Sequence, residues 1–290
     1  MYLTGFADEA AKDLDGQIKA TKALGWSNIE SRNISGTNIH EISDGEFETV
    51  CGKLSDAGIS VNCFGSAIAN WACEITTDFD VTIDQVKRAI PRMQKLGTKL
   101  IRIMSYAPLK DNAGDDQAEE ERFRRLRTIK MIFDDAGITA VHENCRNYGG
   151  LSFQHTLKML DHVPGLRLVF DTGNPVFLDD HSKPKPYPKQ SSWEFYSNVK
   201  DHISYIHIKD CVWNAEKQCA DYTYPGDGDG DVKEILTDLI DAGFNGGMSI
   251  EPHLAAVFHD ASVTASTDQM MTTYIEYGKR LEALIKEIKG

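Results

Sequence analysis

Apolar residues along this chain fall into two alternating rhythms. Short dense runs rich in Val, Ile, Leu and Phe are each followed by a longer stretch with an apolar residue every three or four positions. The first rhythm belongs to strands buried on both faces, the second to helices with one buried stripe. In chain order, Leu3–Ala7 precedes a helix over Leu14–Leu24, Asn28–Arg32 precedes Glu46–Ala57, and Ile59–Phe64 precedes Thr82–Leu96. Lys99–Ser105 precedes Glu119–Ala136, Ile138–Glu143 precedes Phe153–His162, and Leu166–Asp171 precedes Trp193–Lys200. Ile203–Lys209 precedes Val232–Ala242, and Met248–Glu251 precedes Asp268–Ile288. Five of these helices run into a glycine, at Gly25, Gly58, Gly97, Gly137 and Gly243, where a left-handed residue ends a helix. Repeated βα units predict a parallel sheet. Eight of them with nothing left over predict a single α/β (β/α)8 TIM barrel spanning residues 1–290 as one domain. An open doubly wound sheet is the alternative, but no GxGxxG follows the first strand.

The polar residues that end the last four strands are the candidate chemistry. "TAVHE", "LVFD", "SYIH" and "MSIE" deliver Glu143, Asp171, His207 and Glu251 at intervals of 28, 36 and 44 residues. In such a barrel the C-terminal ends of strands converge on one face. Taken singly, each has a plainer reading: Asp171 can make a turn with Thr172 and Gly173, and His207 can be a satisfied core histidine. Four at the same relative position point to a shared site. Three carboxylates there repel one another unless a cation joins them. This donor set suits one divalent metal ion, Mn2+ first, with Mg2+ or Co2+ as alternatives.

Composition narrows the partners. With 290 residues, 41% hydrophobic and 26% charged, the chain is of ordinary globular make-up. A formal charge of −13 argues against nucleic acid, whose binding draws on a basic face. The basic run Arg122–Arg127 follows Glu119–Glu121 and reads as a solvated helix face. No run of 18 apolar residues spans a membrane, and the acidic start at Asp8 and Glu9 is unlike a signal peptide. Six scattered cysteines without a CxxC fit reduced thiols, so a cytoplasmic location is expected. The run from Gly226 to Asp231 imitates a calcium loop but has Asp238, not Glu, at the twelfth position. Asp231 reads instead as the N-cap of the following helix.

The segments "HENC", "FDTGN", "YIHIKD", "PGDGDGDV" and "SIEPH" resemble the xylose-isomerase-like TIM-barrel superfamily, and within it the sugar (phosphate) isomerase/epimerase group. The likeness runs from "FADEA" and "IESR" to "EPH". It implies one divalent metal held by Glu143, Asp171, His207 and Glu251, with the two glutamates also carrying protons. The implied activity is a metal-dependent sugar isomerase or epimerase. It abstracts a proton next to a carbonyl through a metal-stabilised enediolate. A dehydratase, hydratase or lyase of a keto-sugar or keto-inositol is the alternative, because loss of a β-hydroxyl can follow the same first step. Substrate-binding candidates are His142, Asn144, Asn174, Lys209 and His253, each within three residues of a ligand. His142 and Asn144 can also face away from the site, since strand neighbours alternate, and Lys209 can pair with Asp210 at the surface. Related epimerases often carry a histidine where Asn174 stands, which puts the ketohexose 3-epimerase assignment in doubt.

The expected partner is therefore a small-molecule sugar or polyol, with a homo-oligomer left open. No Ser/Gly/Arg cluster marks a phosphate site, which favours an unphosphorylated substrate. Two competing readings are an apurinic-site nuclease of the endonuclease IV kind and a non-enzymatic sugar-binding barrel. The histidine-poor ligand set opposes the first and the complete quartet the second. In the front half, Asp8, Glu9 and Arg102 are weaker candidates. Glu30 and Arg32 share strand parity and are expected to pair. Phe64, Trp71, Tyr106 and Trp213 are candidate pocket walls.

Overall fold

The computed structural model describes residues 1–109, 117–255 and 265–290. Eight barrel strands are β1 (Tyr2–Gly5), β2 (Asn28–Ser31), β3 (Ser60–Phe64), β4 (Leu100–Ile103), β5 (Thr139–Glu143), β6 (Arg167–Asp171), β7 (Ile203–Ile208) and β8 (Gly247–Ile250). They form one parallel ladder in the order β1-β8-β7-β6-β5-β4-β3-β2. A parallel bridge between Phe6 and Glu30 joins its two ends and closes the ring. The helices between them are α1 (Leu14–Ala23), α2 (Asp44–Ala57), α3 (Phe79–Leu96), α4 (Glu119–Asp135), α5 (Phe153–His162), α6 (Ser192–Val199), α7 (Val232–Asp241) and α8 (Thr267–Lys289). The expected (β/α)8 TIM barrel is the observed fold. Among the described residues no helix is long and apolar enough to cross a membrane.

Local chemistry sets the helix limits. Ser43 and Glu46 form a reciprocal capping box that starts α2 two residues earlier than its apolar periodicity suggested. Gly58 and Gly97 end α2 and α3 in the left-handed conformation, at φ 66° and 72°. Asp231 precedes α7 as expected but does not cap it. It lies at φ 51°, and its carboxylate accepts from the Trp193 amide on α6 at 2.9 Å instead.

Strand alternation divides the side chains into two layers. Outward residues such as Ile101, Ala140, Phe170, Ile206 and Ile250 pack against the helices in the main core. Each such burial contributes about 1.5–3 kcal/mol, so packing, more than helix propensity, holds the shell in place. Inward residues form a smaller plug of Cys63, Val141, Val169 and Tyr205. Two residues further along three of those strands the inward positions are Glu143, Asp171 and His207. The polar site is thus the next layer above the plug.

Three short additions decorate that end of the barrel. An antiparallel pair, Asn33–Ile34 with Thr37–Asn38, follows β2. A one-turn helix, Asn174–Phe177, follows β6. A ribbon pairs Asp210–Asn214 with Cys219–Thr223 after β7.

Candidate metal centre and pocket

Register brings the four strand-end residues together. Asp171 and His207 are direct partners across β6 and β7. The Glu251 amide donates to Ile208 at 3.0 Å, so the ladder continues past Ile250 and aims Glu251 inward. Glu143, Asp171, His207 and Glu251 are all buried, and each offers one ligand atom within 4.8 Å of the others. His207 Nδ1 lies 3.6 Å from Glu143 Oε1 and 3.8 Å from Glu251 Oε2, too far for hydrogen bonds. It has no hydrogen-bond partner. Its other nitrogen, Nε2, is 3.2 Å from both oxygens of Glu30. A proton on Nε2 donated to Glu30 aims Nδ1 at the two glutamates, where a cation would displace the Nδ1 proton; this is the arrangement that orients a metal-ligating histidine. Asp171 Oδ1 is fixed by the amides of Gly173 and Asn174 at 2.9 and 2.7 Å. Its Oδ2 makes no directed hydrogen bond and meets only the Lys209 ammonium at 2.9 Å. An unpartnered, buried imidazole nitrogen aimed into one space beside three carboxylates fits a divalent cation.

The charge balance differs from the sequence expectation. Three buried cations already stand among the carboxylates. Arg102 Nη1 is 3.0 Å from Glu143 Oε2, and Arg32 Nη1 is 3.0 Å from Glu251 Oε1. Lys209 Nζ bridges Glu251 Oε2 at 3.0 Å and Asp171. The unpartnered His207 Nδ1, more than carboxylate repulsion, is what calls for a cation here. The same contacts set the proton affinities. Burial works against ionised Glu143, yet Arg102 holds it down at about 2. Glu251 is likewise kept well below its ordinary value against burial, chiefly by Lys209. Burial raises Asp171 to about 7 despite Lys209. Burial also opposes the charged form of His207, but Glu30 and Glu143 raise it to about 10.

The front half supplies more of the site than expected. Glu30 and Arg32 do not pair. Alternation after outward-facing Ile29 sends Glu30 inward beneath His207, where it also accepts from Tyr205 Oη at 2.9 Å. Arg32 lies beyond the end of β2 and reaches Asp8 at 2.9 Å and Glu9 at 3.0 Å as well as Glu251. Phe6 floors the site: its ring centroid is 4.3 Å from the Arg32 guanidinium carbon, 5.1 Å from that of Arg102 and 4.9 Å from the His207 ring. Glu9, Glu251 and His253 form a second possible ligand trio, but Arg32 already spans Glu9 and Glu251.

The other candidates separate by strand parity. Asn174, Lys209 and His253 line a cavity of about 420 Å3 together with Glu143, Glu251 and the two arginines. Asn174 Nδ2 is 3.3 Å from Glu143 Oε1. Lys209 is buried and does not pair with Asp210. His253 Nδ1 is 2.9 Å from Glu9 Oε1, and its Nε2 is 3.7 Å from Glu251 Oε1. His142 points away from the pocket into the outer core, with Nε2 3.0 Å from Ser105 Oγ. Burial lowers its pKa to about 4, so it is a neutral packing group. Asn144 also lies outside the cavity lining, where it exchanges two hydrogen bonds with the Asp171 backbone at 2.9 and 2.7 Å. It fixes the ligand strand and does not face the cavity. Cys145 lines the pocket, but burial and then Glu143 push its thiol far up, which removes it as a nucleophile. Trp71 walls the cavity and Trp213 an adjoining one, whereas Phe64 and Tyr106 are core packing. Sequence reasoning missed Asn33, Asn38, Asn70 and Arg146 in the lining. All lie off the barrel strands, where period-two reading gives no direction.

Among solved structures, the chain resembles a xylose isomerase-like TIM barrel protein from Mycobacterium smegmatis in complex with magnesium. The two are 14% identical with a TM-score of 0.68, covering 98% of this chain and 97% of that one. A probable 3-DHS dehydratase from Bacillus anthracis matches at 14% identity and TM-score 0.68, covering 97% and 99%. A D-psicose 3-epimerase determined with D-fructose matches at 17% identity and TM-score 0.67, covering 98% and 99%. No curated protein matches the sequence significantly. At these identities the structures share the fold. The family described as xylose isomerase-like TIM barrel matches over residues 18–270, and with its barrel and strand-end quartet the chain belongs to that family.

Proposed function

We propose that the protein is a divalent-metal-dependent sugar isomerase or epimerase that moves a proton next to a carbonyl. The observation that carries this reading is the pair Glu143 and Glu251, which face one cavity from β5 and beyond β8 with His207 Nδ1 between them. Glu143, Asp171, His207 and Glu251 would hold the ion, Mn2+ in preference to Mg2+ or Co2+. When bound, the ion supplies positive charge against the oxygen charge that develops in an enediolate. The remaining chemistry belongs to the chain. Glu143 and Glu251 stay ionised because Arg102 and Lys209 favour their charged forms. One ionised glutamate takes the proton. For epimerisation the other glutamate, protonated from water, delivers a proton to the opposite face of the same carbon; for isomerisation the first glutamate returns its own proton to the neighbouring carbon. Asn174, Lys209 and His253 are placed to bond substrate hydroxyl or carbonyl oxygens.

A dehydratase or lyase of a keto-sugar is the second reading. It is favoured by Asn174, a neutral amide at the position where related epimerases carry histidine, and by the likeness to a probable dehydratase. Proton NMR in D2O with Mn2+-loaded protein tests both, using a panel of ketoses, aldoses and inososes. Deuterium should enter at a carbon next to the carbonyl of at least one member. Loss of water from that member selects the lyase. No exchange into any member, with or without metal, removes the proton-transfer reading.

A further inference from the structure

The pocket holding Glu143 and Glu251 adjoins an outer chamber of about 740 Å3, and the two spaces share Trp71, Cys145, Arg146 and Phe177 in their linings. Small-molecule sites typically enclose roughly 300–1,000 Å3, so the inner cavity alone can take the reacting group. The outer chamber is room for a part of the substrate that does not react.

Its lining has a consistent charge. The loop after the Asn174–Phe177 turn contributes Lys185, Tyr187 and Lys189, and the ribbon after β7 contributes Trp213. Among the described lining residues, Arg146, Lys185 and Lys189 face one carboxylate, Asp179. Lys189 is already engaged, with Asp179 Oδ1 at 2.8 Å, the Phe177 carbonyl at 2.9 Å and the Trp213 ring centroid at 3.8 Å. Lys185 has no carboxylate partner, and its ammonium lies 5.5 Å from the Tyr187 ring centroid.

Arg146 stands apart from every other arginine. All eleven arginines of the chain lie among the described residues. Ten make hydrogen bonds or ion pairs, including buried Arg122, which donates to the carbonyls of Ser105 and Ala107 at 2.6 Å. Arg146 makes neither; its guanidinium carbon sits 5.2 Å from the Phe177 ring centroid. In a chain with 44 acidic residues and a charge of −13, an arginine without a carboxylate at a pocket junction is a local exception. A planar guanidinium with free N–H groups is suited to a bidentate grip on a carboxylate or phosphate.

We propose that the outer chamber is an anion subsite: the substrate carries a carboxylate or phosphate remote from its reacting carbon, and Arg146, backed by Lys185, holds it. This rests on the inner pocket being the reacting site. The sequence hides it, because Arg146 and Lys185 are 39 residues apart and line one chamber only through the loops that follow β5 and β6.

Titration calorimetry on the full chain, with and without Mn2+, tests it using D-glucose, D-glucuronate and D-glucose 6-phosphate. These share a ring and differ at one end. At least one anionic sugar should bind about tenfold more tightly than D-glucose, the scale of a hydrogen bond to a charged group. The advantage should shrink with added salt, disappear in Arg146→Gln, and weaken in both Arg146→Lys, which keeps the charge but loses the fork, and Lys185→Gln. The tighter of the two anions identifies the group. Equal binding of all three sugars, no binding of either anion at millimolar concentration, or an advantage that persists in Arg146→Gln overturns the subsite. Because binding is read without turnover, absence of deuterium exchange and absence of an anion preference remain separate results.

Discussion

Glu143 and Glu251 are each held by a buried cation network, and that network decides what a conservative substitution does. In Glu143→Gln the amide oxygen can still accept from Arg102, which also donates to the carbonyls of Gly65 and Ser66 at 3.3 and 3.2 Å. In Glu251→Gln, Lys209 keeps Asp171 and Arg32 keeps Asp8 and Glu9. The fold should therefore survive both changes, with circular dichroism unaltered. Solvent deuterium exchange should fall by about 10²–10⁴, the usual contribution of a positioned acid or base. Wild-type exchange in either variant would remove that residue as a proton carrier. The glutamates were legible in the sequence because each ends an apolar run in phase with an inward residue two positions earlier, Val141 before Glu143 and Ser249 before Glu251. The Glu30–Arg32 pair was misjudged because shared parity puts both side chains inside the barrel but says nothing of their partners. Glu30 bonds to Tyr205 and His207, whereas Arg32, just past the end of β2, reaches Asp8, Glu9 and Glu251.

At the level of elements, the barrel was readable because each βα unit announces itself by a change of period and a closing glycine. The additions at its functional end were not, because they are held by tertiary hydrogen bonds with no local signature. The Gly226–Asp231 turn shows this. Asp210 Oδ2 accepts from the amides of Gly226 and Gly228 at 2.8 and 3.1 Å, and Oδ1 accepts from Gly230 and Cys211, both at 2.9 Å. The loop aims N–H groups at a carboxylate, whereas a calcium loop aims oxygens at a cation. A Cβ at Gly228 or Gly230 would stand 2.4 or 2.7 Å from Asp210 Oδ1, so these two positions need glycine for space. Asp210→Asn replaces one acceptor oxygen with an amino group facing two of those amides. Each donor left without a partner costs about 1–3 kcal/mol, so denaturant unfolding should show a loss on the order of 2–6 kcal/mol. An unchanged unfolding midpoint would mean that the turn holds itself.

For the molecule as a whole, the site is a concentration of buried charge that the barrel must tolerate. Asp8, Glu9, Glu30, Glu143, Asp171 and Glu251 all lie inside it against Arg32, Arg102 and Lys209, in a chain whose formal charge is −13. Burying charge is unfavourable unless it is paired and hydrogen-bonded. His207 Nδ1 and Asp171 Oδ2 remain without hydrogen bonds. An ion that binds these donors in the folded chain and not in the unfolded one stabilises the fold by mass action, about 2.7 kcal/mol at a hundredfold excess over its dissociation constant. For a chain of this size that raises the melting temperature by on the order of 5 °C or more. Scanning calorimetry should show the rise when Mn2+ is added to chelator-stripped protein, with a smaller or equal effect from Mg2+. His207→Gln should abolish the shift, because it removes the one imidazole nitrogen aimed at the glutamates. Glu30→Gln should only weaken it, since Glu30 orients His207 through Nε2 and offers nothing to the ion. A melting temperature indifferent to every divalent ion would leave the quartet a structural charge network, balanced by Lys209, Arg102, Arg32 and the His207 ring.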